Sequence, residues 1–401
     1  MKHVLPLLQG RGSRSRTSCT LRAGGPDSWD TPVRWGDPVL PDAPAFDVDQ
    51  QTREAQEKQF GYNGDHALLM PLRRGPLGQE RGLLVVNHKG ADEILAVRGG
   101  ADRATAAVGQ LEICLAATGL TIVEIERIGR TDHWGLVTVG HRPFNRRVTG
   151  TTPLVLSGPA AGHPLVRTPA DPTGRRVLGT LETRGGGCTP WGTTLHGEGD
   201  VHHYFEAGET VDPAYTRTFE RYALPARPAA GRTWSRLHQR FDLSRHPHEA
   251  HRFGWVVELD PYDPDATPRK RTMLGRFAHA APTVTIAPDG RAVVHLGTDG
   301  RTGYQYRFVS RNRHRLNWSA SAHRHNMSLL DHGTLSVAPV PDRADGEAAY
   351  DEHTAATRWT PLATDEESFV PGMSVAEVLV TTRLAADRLD QAAKLRATAL
   401  T

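Results

Sequence analysis

The stretch VTIAPDGRAVVHLGTD, Val284 to Asp299, is the clearest structural statement in the chain. Pro288, Asp289 and Gly290 are turn formers, each for its own reason: a preset φ, a local side-chain bond and freedom at positive φ. On either side run β-branched residues, Val284 and Ile286 before the turn, Val293 and Val294 after it, which suit a pleated surface. The segment therefore predicts a β-hairpin with a tight reversal.

Working outward, the same strand, turn, strand rhythm recurs. Downstream, TLSVAPV (Thr334 to Val340) reads as a further strand. Upstream lie GLLVVNH (Gly82 to His88), QLEICLA (Gln110 to Ala116), LTIVEIERI (Leu120 to Ile128) and WGLVTV (Trp134 to Val139), all predicted as strands. Gly 40 and Pro 28 in 401 residues are a heavy load of turn formers, which fits many short strands better than long helices. An all-β class leads, and periodicity alone leaves sandwich and barrel open, because no internal repeat is evident. One helix is expected, at SVAEVLVTTRLAADRLDQAAKLRATAL (Ser374 to Leu400), where Val380, Leu384 and Leu389 keep a helical spacing. The organisation predicted is a basic, disordered lead over 1–33, a β domain over 34–373 and a C-terminal helix over 374–401.

Bulk properties exclude several functions. The 48 basic and 45 acidic residues leave a net charge of +3, too small to gather nucleic acid or anionic lipid. No apolar run is long enough to span a bilayer. The opening MKHVLPLLQGRGSRSR has a single lysine and too short an apolar run for a convincing signal peptide. Cys19, Cys114 and Cys188 fit neither a zinc site nor a disulfide framework.

Several residues invite a functional reading and have a plainer one. Glu258 and Asp260, in VVELDP, alternate along a strand and so share a face, as two inward ligands would. His163 follows glycines in a loop, where function concentrates, yet such a histidine is commonly a structural hydrogen-bonding group. His202 and His203, read on a strand, point to opposite faces and cannot share one ion. Trp191 and Trp255 read as core. Gly185 to Gly187 lack the Lys-Ser/Thr of a P-loop and read as a turn.

Longer segments resemble the PhoX family of secreted, calcium-dependent alkaline phosphatases: WGDPVLPDAPAFD (Trp35 to Asp47), QFGYNGD (Gln59 to Asp65), GLLVVNH, NRRVTGTTPLVLSGPAAGHPL (Asn145 to Leu165), TPWGTTL (Thr189 to Leu195), RFGWVVELDPYDP (Arg252 to Pro264), KRTMLGRFAH (Lys270 to His279) and YQYRFVS (Tyr304 to Ser310). The resemblance covers about Trp35 to Asp387. It implies a β-propeller, incomplete at its C-terminus, with a cluster of calcium and iron ions that hydrolyses small phosphate monoesters in the periplasm or outside the cell, with no nucleic-acid partner. Carried over residue by residue, it implies Glu198, Glu258, Asp299 and Asp260 as metal ligands, Arg301 and His279 as catalytic groups, and Asn87, His88 and His163 at the substrate.

Departures from the family pattern are as informative. Lys89 stands where the Asn-His motif continues with an acid, Arg184 stands at the iron-ligating cysteine, and Ala280 stands where the pattern favours glutamate. After TPWGTTL the family reads toward Glu-Glu-Asn, and here Glu198 survives, Gly199 replaces its acidic neighbour and Asp200 is a candidate to compensate; the Arg-Pro-Glu element expected after TRLAAD is missing. Three functions follow as expectations: an impaired phosphomonoesterase with a calcium-only site on Glu198, Glu258 and Asp299, a non-catalytic relic, or a propeller hydrolase such as a calcium-dependent lactonase. A propeller that ends early also exposes a strand edge, so association or poor solubility is expected. The phosphatase and its relic are both expected to bring Glu198, Glu258 and Asp299 to one cavity.

Overall fold

In the computed structural model the described residues are 32–76, 78–90, 106–131, 133–228, 233–299, 303–317, 319–339 and 359–399. The expected lead over 1–33 lies almost wholly outside them. They form three separate sheets with several helices packed around them.

The first sheet joins β1 (Gly64–Pro71), β2 (Arg81–His88), β3 (Gly119–Arg127) and β4 (Trp134–Leu136) in that order, with β5 (Arg146–Val148) also on β3. The second adds β6 (Pro153–Ser157), β7 (Arg176–Leu178), β8 (Thr183–Cys188), β9 (Thr194–Glu198), β10 (Val256–Leu259) and β11 (Arg269–Arg271), in the order β7-β6-β11-β10-β9-β8. The third is a meander of β12 (Thr283–Ile286), β13 (Arg291–Asp299), β14 (Tyr304–Arg313), β15 (Gly333–Pro339) and β16 (Thr360–Thr364). A continuous apolar core runs through all three, from Leu83 and Ile122 through Trp255 and Val257 to Phe308 and Leu335. A smaller cluster under the first sheet gathers Val39, Phe60, Val86 and Ile125.

The hairpin at Val284 to Asp299 forms as its turn residues dictate. Ala287 and Arg291 close the reversal through Ala287 N to Arg291 O, and Asp289 accepts from the Arg291 amide. Gly290 sits at φ +87, where a side chain is strained.

Three sequence readings are corrected. QLEICLA is part of a helix, Val108–Ala117, not a strand. The segment buries Leu111, Ile113, Cys114, Leu115, Ala116 and Ala117, so it is apolar nearly all round and its period is uninformative. The Gln110 side chain accepts from the Ala107 amide at its start, and the buried Arg147 guanidinium takes the Ala116 and Thr118 carbonyls at its end. Secondly, the C-terminal segment is two helices, Val375–Val380 and Thr382–Ala399, broken at Thr381. Ser374 and Glu377 form a reciprocal cap on the first. Thirdly, Gly185 to Gly187 are not a turn but lie inside β8, with a bulge between Arg184 and Gly186. The chain is thus mostly β with several helices, rather than all-β. Among the described residues no helix is long and apolar enough to cross a membrane.

Candidate active site

The central strands of the second sheet carry the acids singled out above, and their register decides what those acids can do. On the antiparallel β9–β10 ladder Glu258 lies opposite Leu195, and Val256 opposite Gly197. Directly opposed residues share a face and neighbours along a strand alternate. Glu258 therefore points to the face of residues 195 and 197, and Glu198 to the other. The two cannot ligate one ion.

Each acid is closed by a cation from β11. Lys270 lies opposite Val257 and Arg271 opposite Val256, so these two consecutive residues also project to opposite faces. Lys270 Nζ reaches Glu198 at 2.7 Å, with both side chains fully buried. Glu198 also accepts from Thr180 Oγ1 and the amides of Leu181, Gly254 and Trp255. Burial pulls the Lys270 ammonium down to about 8, with Glu198 opposing the shift. On the other face Arg271 grips Glu258 at 2.6 Å and Asp331 at 2.7 Å. Trp191 Nε1 and Thr193 Oγ1 donate to the second Glu258 oxygen at 2.9 and 2.5 Å.

Asp260 follows β10 and, like Glu258, lines a cavity of about 640 Å³ with Asp263, Arg269, His323 and Arg324. Its Oδ1 accepts from the Tyr262 amide, and Oδ2 meets His323 Nε2 at 3.0 Å. The shared face read for Glu258 and Asp260 is thus what the cavity shows, but a histidine and an arginine engage the two acids. Of Asp299 only the backbone on β13 is described, opposite Tyr304, and Arg301 lies outside the described residues.

His279 is buried, with Nε2 donating to the Gly275 carbonyl at 3.0 Å and its ring against Phe277. Burial pushes its pKa down to about 3, so the ring stays neutral at working pH. His88 is enclosed between Tyr62 O, Thr121 Oγ1 and the Phe60 ring, and burial holds its pKa well below the ordinary value. Asn87 donates to Gly185 O and accepts from His196 Nδ1, bridging the first two sheets. His163 caps the short turn Pro164–Val166 through Nδ1. Asn87 and His88 thus tie separate elements together, whereas His279 and His163 hold local turns.

One position that departs from the family pattern meets an acid. Arg184, at the expected cysteine, binds Asp200 at 2.7 Å and approaches Glu182 to 4.0 Å. Glu182 sits at φ +50, an uncommon conformation for a non-glycine residue. The Gly199 amide donates to the Glu182 carbonyl, which holds this corner together. His202 and His203 lie on a 3-10 turn, Val201–Tyr204, not on a strand; their rings are 4.0 Å apart, and His202 Nδ1 is 4.0 Å from Asp200. Cys188 is disulfide-bonded, although the cysteine spacing fits no disulfide framework, and so is no free thiolate for iron. Trp191 and Trp255 are core, as expected.

A family model described as Alkaline phosphatase PhoX matches residues 28–397. The chain belongs to the PhoX family. Among solved structures it is similar to Pseudomonas fluorescens PhoX in complex with vanadate, a transition state analogue, at 32% identity and a TM-score of 0.73. That match covers 96% of this chain and 63% of the other, so the chain spans less than two thirds of that PhoX. No curated protein sequence matches.

The calcium and iron implied by the PhoX family were tested against the donor set. Calcium takes six to eight oxygen ligands, and metal-binding carboxylates need free lone pairs. Glu198 and Glu258 have theirs filled by protein donors, each including a cation. Among the described residues no group of three or more His, Cys, Asp or Glu is arranged to hold a metal ion. The described acids do not fit the cluster.

Lys270, Arg271, His196, Glu182 and His323 escaped the sequence reading. For the first two a signal existed: adjacent cations within the segment KRTMLGRFAH, which only paired buried acids accommodate.

Proposed function

We propose that this chain is a PhoX-type phosphatase of small phosphate monoesters whose activity is impaired, working in the periplasm or outside the cell on a β-propeller of which three blades are the sheets above. Family membership and the similarity to a vanadate-bound PhoX support the reaction class. The observation that supports the impairment is the Arg184–Asp200 ion pair at 2.7 Å, since by resemblance Arg184 stands at the position of the family's iron-ligating cysteine. Phosphoryl transfer relies on cations that neutralise the phosphoryl oxygens, and here the carboxylates that would hold such ions are already neutralised.

The test is release of p-nitrophenol from p-nitrophenyl phosphate at alkaline pH with calcium, alongside Pseudomonas fluorescens PhoX. Slow turnover above the buffer rate is expected, and a rate equal to that enzyme's refutes the impairment. The same ion pair favours a second reading, a non-catalytic relic, and absence of turnover under every metal condition selects it.

A further inference from the structure

We infer that this chain supplies its own counter-ions, Arg184, Lys270 and Arg271, in place of a metal cluster, and is assembled without calcium or iron at Asp200, Glu198 and Glu258. The inference goes beyond the phosphatase reading and holds whether or not the chain turns over substrate. Three observations converge on it.

First, the two acids on the β9–β10 ladder are complete as ligands of protein donors. Glu198 accepts five bonds, from Thr180, Leu181, Gly254, Trp255 and Lys270, which exceeds the roughly four lone-pair sites of a carboxylate. Glu258 accepts from Trp191, Thr193 and Arg271. A metal ion would have to displace buried donors from both.

Second, the cations are placed by the fold itself. Lys270 and Arg271 are consecutive on β11, and the strand's alternation sends one to each face of the sheet, where one acid waits. The ladder that keeps the acids apart thus also delivers a separate cation to each. A charged group removed from water requires such a partner.

Third, Arg184 extends the pattern to the half-exposed corner. Its guanidinium lies 2.7 Å from Asp200 and 4.0 Å from Glu182, between two carboxylates. Arg184 therefore neutralises this acidic corner with a side chain of the chain itself.

The experiment is done on the full chain, purified after growth with added calcium and iron. Elemental analysis is expected to find both metals well below one per chain, and EDTA to leave the melting temperature unchanged. Millimolar calcium is likewise expected to leave the melting temperature unchanged. Stoichiometric calcium or iron in the parent overturns the inference, as does a parent melting temperature lowered by EDTA. A melting temperature raised by added calcium overturns it too. None of these readouts involves turnover, so failure of the phosphatase reading is separately visible.

Discussion

Lys270→Met removes the one cation that bonds Glu198 among the described residues, while keeping much of the side-chain volume. Glu198 would retain Thr180 Oγ1 and three backbone amides as donors, but its charge would stay buried without the Nζ at 2.7 Å. Breaking a buried pair from one side costs about 3–5 kcal/mol. The four remaining donors place this case near the lower end, about 3 kcal/mol. An unfolding entropy of about 2.1 cal/mol/K per residue gives about 0.8 kcal/mol/K for a chain this long, hence a melting temperature lower by about 4 °C. The assay is thermal unfolding at pH 7, where Lys270 is protonated, with Glu198→Gln and the double variant completing a cycle. A coupling of about 1–3 kcal/mol between the two positions is expected. A single variant within about 0.5 kcal/mol of the parent would refute the reasoning, because Glu198 would then be balanced by something other than Lys270.

Acid sensitivity follows from the histidines. His279 and His196 are pushed down to about 3 by burial, whereas an unfolded chain titrates near 6.5. Above pH 6.5 both states are neutral; as pH falls from 6.5 toward 3 the unfolded chain alone takes up protons, so stability is lost through that window. Melting curves from pH 7 to pH 4 should show this decline, with a shallower slope in His279→Gln, and equal slopes would count against it. Gly179 sits at φ +87 with its missing Cβ directed into the Gly150 carbonyl. Gly179→Ala is expected to lose at least about 2 kcal/mol in denaturant titration, and a neutral result would mean that the loop at Gly150 yields freely.

Much of the fold was legible because local chemistry and tertiary structure agree. The Pro288-Asp289-Gly290 turn, the run at Gly82 to His88 and the run at Leu120 to Ile128 form as their residues prescribe. Gln110 to Ala116 was misread because a segment buried on nearly all sides carries no period, and its helix is secured from outside by Arg147. The site was harder to read. Alternation through VVELDP placed Glu258 and Asp260 together, but the relation between Glu198 and Glu258 depends on the register between two strands some sixty residues apart in sequence. Nothing local encodes that register. His202 and His203 show the converse error, since alternation was applied to residues that lie on a 3-10 turn.

The partition of Glu198 from Glu258 has a consequence for how the chain can change over generations. Ligands of one shared ion stand or fall as a unit, so the first loss exposes the rest to decay. Here each acid answers to a private partner on its own side of the sheet. One salt link can therefore erode while the other persists, because the two acids share no ligand.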